Sequence, residues 1–176
     1  MTFVGVTPLL YKTCRQTQLF EEWSGTGTWH RFGPSEHFDW WAFPIARDSN
    51  GYGDRYIVAP ALDLLRNNRR FLEAVLASAT LLGLGWGWDL VRGEKIADRA
   101  HPYGIRISKC GESLGLWQMP RAHAAFLEFT RNLFAAGFVT ERTVDHVSMS
   151  RPSETNPMGV DLRTEDAGNV GPTGSG

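Results

Sequence analysis

The run from 60 to 82, PALDLLRNNRRFLEAVLASATLL, constrains the fold more than any other stretch of the 176-residue chain. Leu65, Leu72, Val75, Leu76, Ala79 and Leu82 recur at the spacing of one helical face, while Arg66, Asn67, Arg69, Arg70 and Glu73 fill much of the rest. A helix with such a stripe must bury it against another element. Pro60 suits the first helical turn, where its missing N–H is not needed. Gly83, Gly85 and Gly87, in GLGWGWDL, predict the stop.

A second helix is predicted over 120–137, PRAHAAFLEFTRNLFAAG. Pro120 opens it, Gly137 closes it, and Ala122, Phe126, Phe129 and Leu133 form its apolar face. Residues 7–23 predict a third, with an irregular stripe of Leu9, Leu10, Cys14, Gln18 and Leu19. TERTVDHV, 140–147, predicts a short helical turn with Thr140 as its N-cap. Between these, His37 to Phe43 reads as a short strand or an irregular buried segment. RYIVAP at 55–60 and YGIRIS at 103–108 read as short strands, and residues 46–54 as a polar loop. The expected fold is mainly α: one compact domain over 1–148 with a few short strands or extended segments. In it the 60–82 and 120–137 helices pack together, with the Trp29–Pro44 segment lying across them. Residues 149–176 lack aromatics and are rich in Pro, Gly and acidic side chains, which predicts a polar tail unable to bury enough surface to fold alone.

Several chemistries are disfavoured. Net charge is -1, so no global basic field attracts nucleic acid or an anionic membrane. No apolar run reaches the ~18 residues of a membrane span. The start, MTFVGVTPLLYKTCRQ, lacks a secretory pattern, which makes a soluble cytoplasmic protein the expectation. Cys14 and Cys110 stand alone, against both a disulfide scaffold and a structural zinc site. SGTGT at 24–28 has no lysine and is not a phosphate loop. His30 and His37, with Glu36 and Asp39 near, match no metal-ligand spacing, and no metal or dissociable cofactor is expected. Gly111-Glu112-Ser113-Leu114-Gly115 matches G-x-S-x-G in letters but lacks the strand–turn–helix context of a nucleophile elbow. Cys110 has no identifiable base near it.

The informative stretch is SEHFDWWAFP, 35–44. Trp23, Trp29, Phe32, Phe38, Trp40, Trp41 and Phe43 lie close together, and Trp86 and Trp88 form a second pair. Each tryptophan taken alone reads as core. Together they are costly filler, because every buried indole N–H needs a partner. In an extended segment Trp40 and Trp41 face opposite ways, so one set can line a groove. Such a groove suits a flat aromatic ring by stacking or an amine by cation–π attraction. His37 and Asp39, two apart, would then share a face, and a carboxylate beside an imidazole makes a general base. Against this, His37 bonding backbone and Asp39 capping a turn is the plainer reading. Asp89, after the glycine-rich run, is a second acid/base candidate. Arg106 is a candidate for binding a ligand's carboxylate or phosphate, or else belongs to the exposed face of a strand. His101, His123 and His146 read as structural or solvated, with His123 at a helix rim.

Two resemblances bear on this. HFDWWAFP is similar to the H-x-x-W-x-x-F-P signature of a small, mostly helical bacterial family of unknown function, and FLEFTRNLFAAGFVTERTVDHV resembles its C-terminal helix and turn. Residues 36–128 also resemble the conserved domain of opioid growth factor receptors and its bacterial relatives. That resemblance rests on the His37…Trp41-Ala42-Phe43-Pro44 element, one residue shorter here and without the usual Gln. It rests further on Ala59-Pro60-Ala61-Leu62 and on Arg106-Ile107-Ser108-Lys109 followed by Ser113-Leu114. Both resemblances imply a predominantly helical single domain, and neither implies a catalytic residue.

The function expected is binding of a small aromatic or amine-bearing ligand in a pocket of Trp40, Trp41, Trp86 and Trp88, with Arg106 beside it. His37, with Asp39 or Asp89, would supply cofactor-independent acid/base chemistry of an isomerase, cyclase or condensing type. The alternative is a protein–protein interaction module with one exposed aromatic patch. Either that patch or the tail offers a route to a homo-oligomer.

Overall fold

The structure is a computed structural model of the chain and describes residues 3–47, 58, 61–99, 102–153 and 159–162. Apart from buried Val58, the strand expected at 55–60, with Pro60, lies outside the described residues, as do His101, most of the 46–54 loop and most of the tail. Those described are mainly helical, as expected. Helix α1 (Val6–Gly25) is followed by a 3-10 turn (Trp29–Phe32) and the one-turn helix α2 (Asp39–Ala42). Then come α3 (Leu62–Arg66), α4 (Arg69–Gly85), the two-residue strands β1 (Trp88–Asp89) and β2 (Glu94–Lys95), α5 (Gly104–Leu116), α6 (Pro120–Ala135) and α7 (Glu141–Met149).

Helix α1 is turned relative to the expected stripe: it buries Leu9, Thr13, Gln16, Thr17, Phe20 and Trp23. Its small hydroxyl residues allow this. Thr17 Oγ1 donates to the Ala74 carbonyl at 3.0 Å, and Ser78 Oγ sits 2.9 Å from the same oxygen. The Thr13 carbonyl, 3.1 Å from Thr17 Oγ1, is a further acceptor there. A polar seam therefore runs through the α1–α4 interface.

The single helix expected over 60–82 is two. Asn68 breaks it by accepting the Phe71 N–H through its side chain at 3.0 Å, so α4 starts afresh at Arg69. The glycines after Leu82 do not stop α4 as expected. Gly83 and Gly85 are inside it, and each is a place of close approach. A Cβ on Gly85 would lie 2.4 Å from the Phe32 ring, and one on Gly83 would lie 3.0 Å from both Leu90 and the Trp88 carbonyl. Gly87, at φ 81°, ends the run and lets β1 fold back against β2. The strands pair antiparallel, Trp88 opposite Lys95 and Asp89 opposite Glu94.

The strand expected at 103–108 is the start of α5. The buried set Arg106, Ile107, Lys109, Cys110, Gly111, Ser113, Leu114 and Gly115 follows helical spacing, but its charged members, Arg106 and Lys109, hide the stripe. Gly111 and Gly115 lie one turn apart and admit α7: a Cβ on Gly111 would meet Val147 at 2.7 Å, and one on Gly115 the Ser150 carbonyl at 1.7 Å.

The 60–82 and 120–137 segments do not form the central pair. Helix α4 packs mainly on α1, and α6 packs on α5 and α7, with α5 also touching α4. The Trp29–Pro44 segment joins the two groups, because α2 contacts α1, α4 and α5. Part of the C-terminal stretch docks as well. Val160 is buried, and the Asp161 carboxylate accepts the Arg121 and Ala122 N–H groups at 2.8 Å each, capping α6 from 39 or more residues away.

Candidate functional site

The HFDWW element is not an extended strand: Asp39–Ala42 is a helical turn capped by Phe38, and His37 and Asp39 face different surroundings. Trp41 and Ala42 N–H groups bond the Phe38 carbonyl at 3.1 and 3.0 Å, closing the turn. His37 is exposed and stacks on Trp40, three residues on, with ring centroids 4.7 Å apart and planes 10° from parallel. Trp41 is half-buried under the Lys12 ammonium, which is 4.3 Å from its ring. Asp39 points the other way, into the protein.

There it meets Arg106 and Lys109. Asp39, Arg106 and Lys109 are 4%, 2% and 5% exposed. Arg106 Nε is 3.3 Å from Asp39 Oδ1, and Lys109 Nζ donates to Oδ2 at 2.9 Å. The rest of the Arg106 fork donates to backbone carbonyls, Gly33 at 2.7 Å and Pro34 at 2.9 Å. One guanidinium thus fixes the Gly33–Glu36 turn and the first residue of α2 together. Burial holds the Lys109 ammonium below its ordinary range, with the Asp39 carboxylate opposing that shift. Arg106 therefore fits neither expectation, exposed strand face nor ligand contact; its described partners are structural.

Trp86 and Trp88 are brought together, at a cavity of about 330 Å³. Phe129, Leu133 and Phe138 complete its apolar wall, and Lys95, Asp98, Arg99 and Asn132 stand at it as the polar groups. Trp86 and Trp88 lie 6.3 and 5.4 Å from the Phe129 ring, each tilted by about 30°. Trp86 Nε1 donates to the Phe32 carbonyl at 2.9 Å, which fixes that ring. The Trp88 indole nitrogen is buried without a partner among the described residues. The Arg99 guanidinium carbon sits over Trp29, 3.7 Å from the ring centroid, and the side chain donates to the Leu84 carbonyl. His37, Asp39, Trp40, Trp41, Asp89 and Arg106 do not line this cavity.

Asp89 follows Trp88 in β1 and so faces away from it. It lines a different cavity, of about 630 Å³, with Arg92 and Arg121. Its Oδ1 accepts the Val91 and Arg92 N–H groups at 2.9 and 3.1 Å, the turn-making use of an aspartate.

The other chemically capable side chains have structural partners. Cys110 is fully buried, which pushes its thiol well up and away from thiolate reactivity. Ser113 donates to the Pro44 carbonyl at 3.0 Å, and the Trp117 indole N–H lies 3.1 Å from both that carbonyl and Ser113 Oγ. His123 is buried rather than at a rim, with Nε2 2.9 Å from the Val147 carbonyl. Among the described residues, no three His, Cys, Asp or Glu side chains converge as metal ligands, and no helix is long and apolar enough to cross a membrane.

Sequence reasoning missed Phe129, Leu133 and Phe138 as pocket residues. Phe129 and Leu133 were legible as the apolar face of α6, but an apolar stripe does not reveal which part of it borders a void. Compared with family models, characterised proteins and solved structures, the chain matches none.

Proposed function

We propose that this protein binds a small, flat aromatic molecule against the wall that Trp86, Trp88, Phe129 and Phe138 present to one cavity. The carrying observation is a cavity whose wall holds four aromatic residues, Trp86, Trp88, Phe129 and Phe138, of which Trp86 and Trp88 are also packed on Phe129. Its volume, about 330 Å³, lies at the low end of the ~300–1,000 Å³ of ligand pockets. That suits one or two fused rings. The polar side chains favour a neutral or anionic aromatic over an amine, since Lys95 and Arg99 outnumber Asp98. The reading is of binding, not turnover: His37 and Asp39 lie apart from this wall, and Asp89 faces the other side of β1.

The test is a titration with 2-naphthol followed by intrinsic tryptophan fluorescence, with cyclohexanol as the non-aromatic control. Saturable quenching by naphthol alone, weakened several-fold by Trp88→Leu and unchanged by Trp40→Leu, supports the reading. No saturable response, or a response lost in Trp40→Leu and kept in Trp88→Leu, sinks it.

A further inference from the structure

The aromatic cavity has a neighbour. Pro102 and Phe138 line it, and both also line a second cavity of about 550 Å³ beside the starts of α5 and α7. The second space has the opposite character. Its lining among the described residues includes the guanidiniums of Arg47 and Arg142 and the His146 ring, with hydroxyls from Ser108, Thr140 and Thr143. No carboxylate lines it among those residues.

Glu112, just behind, takes up Arg47 and also meets His146. Arg47 Nε and Nη2 each donate to one of its carboxylate oxygens at 2.8 Å, and His146 Nε2 is 3.0 Å from Oε2. Arg142 has no ion pair among the described residues and is exposed. Arg47 and Arg142 against Glu112 leave one positive charge before His146 is counted. A guanidinium fork with several hydroxyls offers more donors than the two oxygens of a carboxylate can use, and matches a phosphate better.

We propose that the aromatic ligand is a phosphate ester, its ring in the Trp86/Trp88 cavity and its phosphate past Phe138 against Arg142. This rests on the aromatic reading above and adds the second half of the ligand. Pro102 and Phe138 border both cavities, so a ligand whose ring sits against Trp86 and Trp88 reaches Arg142 by passing these two side chains. Neither half then carries the whole affinity, and joining them gives the second contact as an intramolecular one.

The experiment compares 2-naphthol with 2-naphthyl phosphate on the full chain by fluorescence titration. The phosphate ester is expected to bind about tenfold tighter or better, as one charge-assisted contact supplies. That gain should shrink with added salt and disappear in Arg142→Gln, which leaves naphthol binding unchanged. The salt response needs no variant, so it stands even if Arg142→Gln disturbs the fold. Naphthol binding with no gain for the ester, or a gain that survives both salt and Arg142→Gln, overturns the phosphate proposal alone. Failure of both compounds to bind overturns the aromatic reading and this proposal with it.

Discussion

Arg106 and Asp39 are ion-paired in the interior, Nε to Oδ1 at 3.3 Å, with Lys109 on the other carboxylate oxygen at 2.9 Å. Two cations share one anion in a region closed to water. Removing the anion takes a shared carboxylate away from two buried cations, the costly way to break such a cluster. Asp39→Asn is expected to destabilise the fold by ~3–5 kcal/mol, read from the urea midpoint at constant slope. Arg106→Lys should also be damaging, because an ammonium cannot serve Asp39 and the Gly33 and Pro34 carbonyls from one plane. A loss below ~1 kcal/mol for Asp39→Asn, the range of an exposed pair, would place the cluster at the surface instead.

The two cavity tryptophans differ in a testable way. Trp86 donates to the Phe32 carbonyl, while the Trp88 nitrogen is buried with no partner among the described residues. Trp86→Phe strands that carbonyl and should cost ~1–3 kcal/mol. Trp88→Phe removes a donor that has nothing to lose and should cost ~1 kcal/mol or less. Thermal denaturation of the two variants side by side decides it. Equal losses would mean that Trp88 has a partner in solution.

What the sequence made legible follows from periodicity. Helices α4 and α6 were visible because Leu72, Val75, Ala79 and Leu82, and Phe126, Phe129 and Leu133, repeat at helical spacing. Helix α5 was misread because Arg106, Lys109 and Ser113 occupy its buried face, and apolar pattern is silent where charge is buried against charge. Their partners, Asp39 and the Pro44 carbonyl, are about 70 residues away in sequence. The face of α1 was misplaced for the same reason, with Thr13, Gln16 and Thr17 standing where leucines were sought. Trp86 and Trp88 were singled out together by their cost as filler. Their separation from Trp40 and Trp41 is a tertiary fact that no local spacing encodes.

The α5–α7 contact predicts an order among glycine variants. Alanine at either glycine gains up to ~1 kcal/mol of helix propensity. At Gly111 the new methyl meets the Val147 side chain, Cγ1 at 2.7 Å, Cγ2 at 2.8 Å and Cβ at 3.1 Å, a stiff group that only shortening removes. At Gly115 it meets a backbone carbonyl, Ser150, at 1.7 Å, which no shortening of a side chain removes. Gly115→Ala should therefore be the more destabilising, by about 1–3 kcal/mol in the range of an overpacked site. Val147→Ala should partly rescue Gly111→Ala and leave Gly115→Ala unchanged. Denaturant melts of the four variants test the order, and rescue of Gly115→Ala by Val147→Ala would contradict it.

His123 gives the fold a defined response to acid. Burial pushes its pKa below the ordinary 6.5, with the Val147 carbonyl opposing and Arg151 adding to the shift. The folded protein therefore resists the proton that the unfolded chain accepts. Its contribution to stability is fully present above the unfolded value of 6.5 and is lost as pH falls through the lower, folded one. The group takes up its proton on unfolding, so stability falls with acid. Comparing melting temperatures at about pH 7.5 and about pH 5, the native chain should lose more than His123→Gln does. Gln keeps a donor for the Val147 carbonyl but does not titrate, which separates the proton from the hydrogen bond. Parallel losses in the two proteins would assign the acid response to other groups.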